Sequence, residues 1–136
     1  MIPINETNRF SESLEDYLEA IYVLGGKNVR SIAIAKRLHV SRASVNRAVN
    51  TLAEKKLLIK EPYGGVFLTE TGFKAAKAVQ NKHQILKRFL IEVLGVEENI
   101  ANKEACGIEH NISDDTAQKI DRLIKNLLQK NQAPDD

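Results

Sequence analysis

Residues 31–57 read SIAIAKRLHVSRASVNRAVNTLAEKKL and combine two short helical patterns with a turn between them. The helical period predicts a first helix that packs through Ile32, Ala35 and Leu38. A second helix is predicted to begin after Ser41, because serine is a favoured N-cap residue. Its apolar positions repeat at spacings of four and three residues: Val45, Val49 and Leu52. Two short helices joined by a tight turn predict a helix-turn-helix.

The opposite face of the second helix is polar and basic. Its donors, which suit phosphates and base edges, are Arg42, Ser44, Asn46, Arg47 and Asn50. Residues 26–60 carry nine basic side chains and one acidic side chain, although the net charge of the whole chain is only +2. This surplus favours a phosphate-binding surface. The predicted contacts with double-stranded DNA are Ser41, Arg42, Ser44, Asn46 and Arg47. A helical hairpin with a solvated basic face is the alternative.

A β-hairpin is predicted directly after the second helix. Residues 57–60 and 66–69 have the pattern of two short strands, and the sequence EPYGG between them has the pattern of a turn. A hairpin in this position is a wing, and Lys60 and Tyr63 near its tip are candidates to contact the DNA backbone or the minor groove. The predicted fold class is therefore mainly α, with an N-terminal winged helix-turn-helix and a C-terminal helical domain.

Length and composition predict a folded, soluble protein. The chain has 136 residues, of which 43% are hydrophobic and 28% are charged, which is enough for one or two small domains with a real core. No apolar run approaches the roughly 20 residues that span a bilayer, and the N-terminus has no signal-peptide pattern. The single cysteine fits a reducing compartment. We expect a cytoplasmic protein with no membrane partner.

The first helix is expected to follow a loose arm of residues 1–10 and to begin at Ser13. Asp16 and Glu19 are three residues apart, so they share one face of this helix. An acidic pair in a first helical turn is usually a response to the helix dipole. The pair alone therefore does not identify a binding site.

A long helix is predicted after the wing, from about residue 70 to residue 94. We place the boundary between two domains, 1–72 and 73–136, near its start. His83 lies within the apolar seam of this helix. A lone histidine in such a seam is more often a hydrogen-bonded core residue than a metal ligand.

The last predicted helix, about residues 114–129, carries a wide apolar stripe. It follows another helix, predicted over about residues 97–111, and Ser113 is a suitable start for it. Its apolar residues are Ala117, Ile120, Leu123, Ile124, Leu127 and Leu128. Because little sequence remains to cover so wide a stripe, we predict that a second copy of this chain covers it. Packing against the long helix is the alternative.

Residues 104–110, EACGIEH, contain the most reactive side chains of the chain. In a helix, Cys106, Glu109 and His110 stand at positions i, i+3 and i+4 and converge on one face. A thiolate, a carboxylate and an imidazole together suit a first-row transition metal. Nucleophilic catalysis by Cys106 with His110 would also need an oxyanion hole and a third orienting group, and no such segment is recognisable. We do not expect an enzyme.

Five segments in this order resemble the metal-dependent repressors of the diphtheria toxin repressor (DtxR) and manganese regulator (MntR) type. They are SLEDYLEAIY at 13–22, the helix-turn-helix, LTETG at 68–72, NKHQILKRFL at 81–90 and EACGIEHNIS at 104–113. The resemblance covers about residues 11–128. It implies a winged-helix domain, a helical dimerisation domain and metal ligands drawn from both. It also implies a homodimer that binds a palindromic operator when metal acts as corepressor, and so controls metal homeostasis.

The resemblance implies roles for single residues as well. The residues that match the family's metal ligands are Asp16, Glu19, His83, Cys106, Glu109 and His110. In the second helix of the helix-turn-helix, Ser41, Ser44 and Arg47 match positions that approach bases or phosphates. Ala43 stands where some members have proline, so the local base contacts differ from theirs.

The implied ligand set combines two metal preferences. Asp16 is the manganese-type residue, where iron-type members carry methionine, whereas Cys106 is the iron-type residue, where manganese-type members carry glutamate. Lys87 and Asn102 occupy positions of iron-type ancillary ligands and suit that role poorly. A thiolate favours Fe(II), Co(II) or Zn(II) over Mn(II). We expect Fe(II) or Mn(II), with Zn(II) or Co(II) as alternatives.

Two other functions fit parts of the sequence. A winged-helix regulator that senses a non-metal ligand, or a redox state through Cys106, would bind DNA regardless of chelators. A metalloenzyme would use the carboxylates and histidines for hydrolysis. It would need a substrate cleft and an open coordination position, and it leaves the basic helix-turn-helix unexplained.

Overall fold

A computed structural model describes the backbone of residues 4–132 and the side chains of residues 14–130. The elements in chain order are α1 (Ile4–Val23), α2 (Ser31–Leu38), α3 (Arg42–Glu54), β1 (Leu58–Lys60), β2 (Val66–Leu68), α4 (Glu70–Arg88), a π-helical turn (Phe89–Val93), α5 (Glu98–Glu109) and α6 (Asp114–Gln132). This mainly helical architecture with one hairpin confirms the predicted fold class.

Internal contacts divide the chain into two compact units, residues 1–79 and residues 80–136. The division falls within α4, so this helix contributes its first half to one unit and its second half to the other. The predicted boundary between residues 72 and 73 stays a prediction about where the functional domains meet.

The helix-turn-helix of the first unit is built on α2 and α3. The side chain of Ser41 accepts a hydrogen bond from the backbone N–H of Ser44 at 3.1 Å, which satisfies one of the unpaired donors at the start of α3. His39 ends α2 with φ at 56°, and its N–H reaches the carbonyl of Ala35. The predicted stripe of Val45, Val49 and Leu52 is buried, and Ala48 is buried with it.

The wing is a two-stranded antiparallel hairpin. Leu58 pairs with Leu68 at its base, and Lys60 pairs with Val66 closer to the turn. Because Leu58 and Leu68 are buried, they anchor the base of the hairpin in the core of the unit. At the tip, Tyr63 has φ at 63° and a fully exposed side chain. The wing therefore presents its turn to solvent.

Two local predictions in this unit are wrong. First, α1 begins at Ile4, so the predicted arm is helical from this residue and Ser13 lies inside the helix; the first three residues lie outside the described part. Second, α2 buries Ile34 and Ala35, whereas Ile32 is 51% exposed. Both isoleucines fit an apolar stripe, and the contacts of α2 with α1 and α3 select the second one.

The second unit packs the end of α4 and the π-helical turn against α5. Leu86 and Leu90 form one buried cluster with Ala101 and Ala105 of α5. Alanine has a small side chain, so the two helices can approach closely at this point. Gly95, with φ at 72°, ends the helical segment before α5 begins.

The apolar stripe of α6 is only partly covered within the chain. Ala117 and Ile124 are buried and pack with Ile85 of α4, whereas Leu123 is 46% exposed. The hydroxyl of Ser113 accepts a hydrogen bond from the N–H of Thr116 at 3.0 Å and caps this helix as predicted. Among residues 4–132, no helix is long and apolar enough to cross a membrane.

Candidate metal centre and DNA interface

Three of the predicted metal ligands meet in the second unit. His83 comes from α4, and Cys106 and Glu109 come from one face of α5, where a spacing of three residues brings them together. Nδ1 of His83 lies 2.8 Å from Oε2 of Glu109 and 3.7 Å from Sγ of Cys106. One nitrogen, one sulfur and one oxygen, each a potential ligand atom, lie within 4.8 Å of one another.

Glu109 is the buried member of this cluster, with a side chain that is 0% exposed. Its Oε2 contacts His83, but its Oε1 has no hydrogen-bond partner among the described residues. Nε2 of His110 lies 3.3 Å from Oε1, which is an electrostatic contact without hydrogen-bond geometry. A buried carboxylate oxygen without a donor costs stability. A divalent cation is the kind of partner that would compensate it, so these residues fit a metal.

Asn102 also contacts the cluster, through the other nitrogen of His83. Its Oδ1 lies 2.8 Å from Nε2 of His83. From the sequence, Asn102 was expected only to be a poor ancillary ligand, and this contact was not predicted. A signal was present, because Asn102 precedes Cys106 by four residues and Glu109 by seven, so all three share one face of α5.

Asp16 and Glu19 lie on α1, in the first unit. Asp16 is exposed and Glu19 is half-buried. Since α1 extends back to Ile4, the pair lies in the interior of the helix and the helix dipole does not explain it. The cluster within the second unit does not test their predicted role as ligands.

The side chains predicted to contact DNA line the exposed face of α3. Arg42, Asn46 and Arg47 are exposed, and Ser44 is half-buried. The hydroxyl of Ser41 donates to Oγ of Ser44 at 3.0 Å, and Nη2 of Arg47 donates to the same oxygen at 3.3 Å. These contacts hold one guanidinium group in place near the start of the helix.

The wing is tied to α3 by a polar contact. Nζ of Lys60 donates a hydrogen bond to Oδ1 of Asn50 at 2.8 Å. Arg30, which precedes α2, lies with Nη1 3.5 Å from the carbonyl oxygen of Tyr63 at the tip. Basic side chains from α3, the wing and the start of α2 therefore share one surface of the unit.

A basic, winged helix-turn-helix joined to a helical unit with a thiol, carboxylate and imidazole cluster defines a class: DNA-binding proteins equipped for metal binding. Two family models match the chain in agreement with this class. The N-terminal DNA-binding domain of iron-dependent repressors matches residues 9–66, and their metal-binding and dimerisation domain matches residues 69–133. The chain belongs to the iron-dependent repressor family, as the resemblance to DtxR and MntR predicted.

Known relatives agree with this assignment. An uncharacterized HTH-type transcriptional regulator of Methanocaldococcus jannaschii is 37% identical over 123 residues, which cover 88% of this chain and 98% of that protein. The HTH-type transcriptional regulator MntR of Bacillus subtilis is 37% identical over 117 residues, or 83% of this chain and 80% of MntR. The predicted function, a metal-dependent transcriptional regulator, is therefore confirmed at the level of the family.

Solved structures show the same fold. ScaR with bound Zn2+ has a TM-score of 0.73 and 32% sequence identity, over 82% of this chain and 53% of that chain. The manganese regulator SloR has a TM-score of 0.73 and 29% identity, again over 82% and 53%. The chain thus spans about half the length of these two solved proteins.

Proposed function

We propose that this regulator is a repressor that binds a palindromic operator as a homodimer when it is loaded with Fe(II) or Mn(II). The observation that carries the proposal is the buried carboxylate of Glu109 beside His83 and Cys106. One oxygen of this carboxylate lacks a hydrogen-bond partner among the described residues. A bound divalent cation would supply the positive charge and the coordination that this oxygen needs.

The proposed ligand set also includes residues outside this cluster. His110 follows Glu109 directly, and its Nε2 lies 3.3 Å from Oε1, the carboxylate oxygen that lacks a hydrogen-bond donor within the described part of the chain. Asp16 and Glu19 of α1 match the first-helix ligand positions of manganese-type repressors, which supports their assignment as the ligands from the DNA-binding domain. With ligands on both units, metal binding and the arrangement of the units become coupled.

The proposed switch is a shift between two populations. Asp16, Glu19, Cys106 and Glu109 bring up to four negative charges to the ligand set, and like charges at close range repel each other. The metal-free chain therefore disfavours the arrangement that gathers them. A ligand shifts an equilibrium only if it binds the two states unequally. The complete ligand set must therefore exist only in the state that binds DNA.

We assign the choice of metal to Cys106. Its thiolate favours Fe(II), Co(II) or Zn(II), whereas the carboxylates of the set also suit Mn(II). The variant Cys106→Glu tests this assignment. We expect its operator binding to shift toward Mn(II) relative to the wild type. An unchanged ranking of metals would remove Cys106 as the selector.

On the DNA side, we propose that α3 enters the major groove. Ser41, Arg42, Ser44, Asn46 and Arg47 would then face bases and phosphates. Lys60 and Tyr63 would contact the adjacent backbone or the minor groove. The exposure of these side chains and the hydrogen bond between Lys60 and Asn50 support this surface. The exposed Leu123 on α6 supports a homodimer, because a second copy would cover it.

The test is metal-dependent binding to DNA from upstream of the protein's own gene. Fluorescence anisotropy is measured with a chelator alone and with Fe(II), Mn(II) or Zn(II) added. In parallel, binding sequences are selected from a random library in the presence of each metal, so that the result does not depend on the choice of operator. We expect binding only with metal.

Two variants of α5 make the test specific. Glu109→Gln removes the buried carboxylate, whereas Glu104→Gln makes the same change at an exposed position of the same helix. We expect only the first to abolish the metal response. Equal binding with chelator and with metal would overturn the switch and would favour sensing through the thiol of Cys106, which oxidant treatment of the wild type would then reveal.

A further inference from the structure

The imidazole of His83 lies between two oxygen atoms, one next to each ring nitrogen. Nε2 is 2.8 Å from Oδ1 of Asn102, and Nδ1 is 2.8 Å from Oε2 of Glu109. The residue is 9% exposed, so protein groups dominate its surroundings. A neutral imidazole has one N–H and one lone pair. The neighbours of the ring therefore decide which nitrogen is available to a metal.

The two oxygen atoms differ in chemistry. An amide oxygen accepts hydrogen bonds and never donates them, so Asn102 holds a hydrogen on Nε2. Glu109 belongs to the proposed ligand set, so a cation bound there would take the place of the hydrogen shared between Oε2 and Nδ1. Sγ of Cys106, the third potential ligand atom, also lies on the Nδ1 side of the ring, at 3.7 Å. The geometry therefore makes Nδ1 the ligand nitrogen.

We propose that Asn102 is a positioning residue of the metal centre, which holds Nε2–H of His83 and so directs the lone pair of Nδ1 at the metal. Asn102 does not bind the metal itself, because its Oδ1 is engaged by the imidazole. A ligand histidine whose other nitrogen donates to an oxygen is a general feature of metal sites, and loss of the acceptor costs about 10–100-fold in metal affinity. The inference rests on the proposed metal-binding function.

Three variants of the full chain test this role. Asn102→Leu has a side chain of similar size but no acceptor, whereas Asn102→Asp keeps an acceptor oxygen. Asn99→Leu makes the first change at an exposed position of the same helix and serves as the control. Zn(II) affinity is measured by competition with a chromophoric chelator. Long-range nitrogen–proton NMR spectra of isotope-labelled protein report which nitrogen of His83 carries hydrogen, with and without Zn(II).

We expect Asn102→Leu to weaken Zn(II) binding about 10–100-fold. Asn102→Asp should restore it, and Asn99→Leu should not change it. In the spectra, Nε2 of His83 should carry hydrogen in the wild type and in Asn102→Asp, and Nδ1 should lose its hydrogen when Zn(II) binds. Asn102→Leu, which has no acceptor, should lose the fixed hydrogen on Nε2, whereas loss of a merely structural asparagine would leave the hydrogen positions of His83 unchanged.

Two results would overturn the inference. One is an NMR spectrum of the wild type in which Nε2 of His83 carries no hydrogen. This observation needs no variant. The other is an equal loss of affinity in Asn102→Asp and Asn102→Leu. If the wild type binds no Zn(II), the proposed function fails, whereas the hydrogen positions of His83 in the metal-free wild type and in Asn102→Leu still decide the role of Asn102.

Discussion

The two units of this chain place their functional side chains in opposite environments. In the first unit, Arg42, Asn46 and Arg47 project from α3 into solvent. In the second unit, the candidate metal centre lies partly in the core: His83 and Glu109 are buried, whereas Cys106 is exposed. A surface group adds little to the stability of the fold. A buried carboxylate with one oxygen that lacks a hydrogen-bond donor subtracts from it.

This contrast predicts different responses to substitution. In the first unit, substitution of an exposed side chain of α3 such as Arg47 should change DNA binding and leave folding unchanged. In the second unit, substitution of a ligand should change both metal binding and stability, because the same group occupies the core. Core and surface variants of each unit can therefore test this contrast.

The largest effect is expected in the apolar core of the first unit. Leu52 is 1% exposed, and replacement of such a leucine by alanine leaves a cavity that costs about 2–5 kcal/mol. Chemical denaturation at a fixed protein concentration measures the free energy of unfolding of Leu52→Ala. Leu123→Ala, at a 46% exposed position of α6, is the control. A comparable loss in both variants would mean that a partner subunit buries Leu123 as deeply as the core buries Leu52.

The second effect separates function from stability in the metal centre. Glu109→Gln should lower the affinity for Co(II) or Zn(II) by at least about 100-fold, the upper end of what loss of a supporting contact costs. The metal-free variant should nevertheless be more stable than the wild type, because the buried carboxylate oxygen that lacks a hydrogen-bond donor among the described residues is gone. Metal titration gives the affinity, and denaturation in the presence of a chelator gives the stability. Clear destabilisation of the metal-free variant would contradict the contrast between the units.

A smaller effect is expected on the exposed face of α3. Arg47→Ala should weaken operator binding about tenfold, within the range of one side-chain contact to a base or phosphate. It should also reduce the slope of the logarithm of the binding constant against the logarithm of salt concentration by about one. Its metal affinity and stability should match those of the wild type. Lys77→Ala, an exposed basic residue of α4, is the matched control. Equal losses in both variants would indicate a general charge effect instead of a defined interface.

The smallest effect compares one helix cap in each unit. Ser41 caps α3 and Ser113 caps α6 through the same contact, a hydroxyl that accepts from the N–H three residues later, at 3.1 Å and 3.0 Å. Each serine-to-alanine change should cost about 1 kcal/mol in unfolding free energy. Only Ser41→Ala should also weaken operator binding, since Ser41 supports Ser44 and Arg47. A similar loss of DNA binding in Ser113→Ala would remove that distinction.

Local patterns in the sequence were sufficient for several features that one helix decides, although not for the start of α1. The stripe of Val45, Val49 and Leu52 and the caps at Ser41 and Ser113 are confirmed, since each depends on residues within one or two turns. The resemblance to a family added the ligand candidates that lie far apart in the sequence.

Contacts between helices were not predictable in the same way. The choice between Ile32 and Ile34 in α2 depends on packing against other helices, because both residues satisfy the local period. The contact of Asn102 with His83, and the burial of Glu109 without a donor for its second oxygen, also depend on how α5 meets α4. The spacing along α5 places Asn102 on the face of Cys106 and Glu109, but no spacing along a single helix encodes a contact with another helix.

The π-helical turn at Phe89–Val93 bears on how relatives of this chain diverge. A π turn closes its hydrogen bond one residue later than an α turn does, so it can absorb the insertion of a single residue without unwinding the helix. His83 precedes this turn, and Cys106 and Glu109 follow it. Evolution can therefore add or delete one residue between the ligands while each helix keeps its own ligand face. Alignments with relatives should place a one-residue gap here and not within the helices that carry the donors.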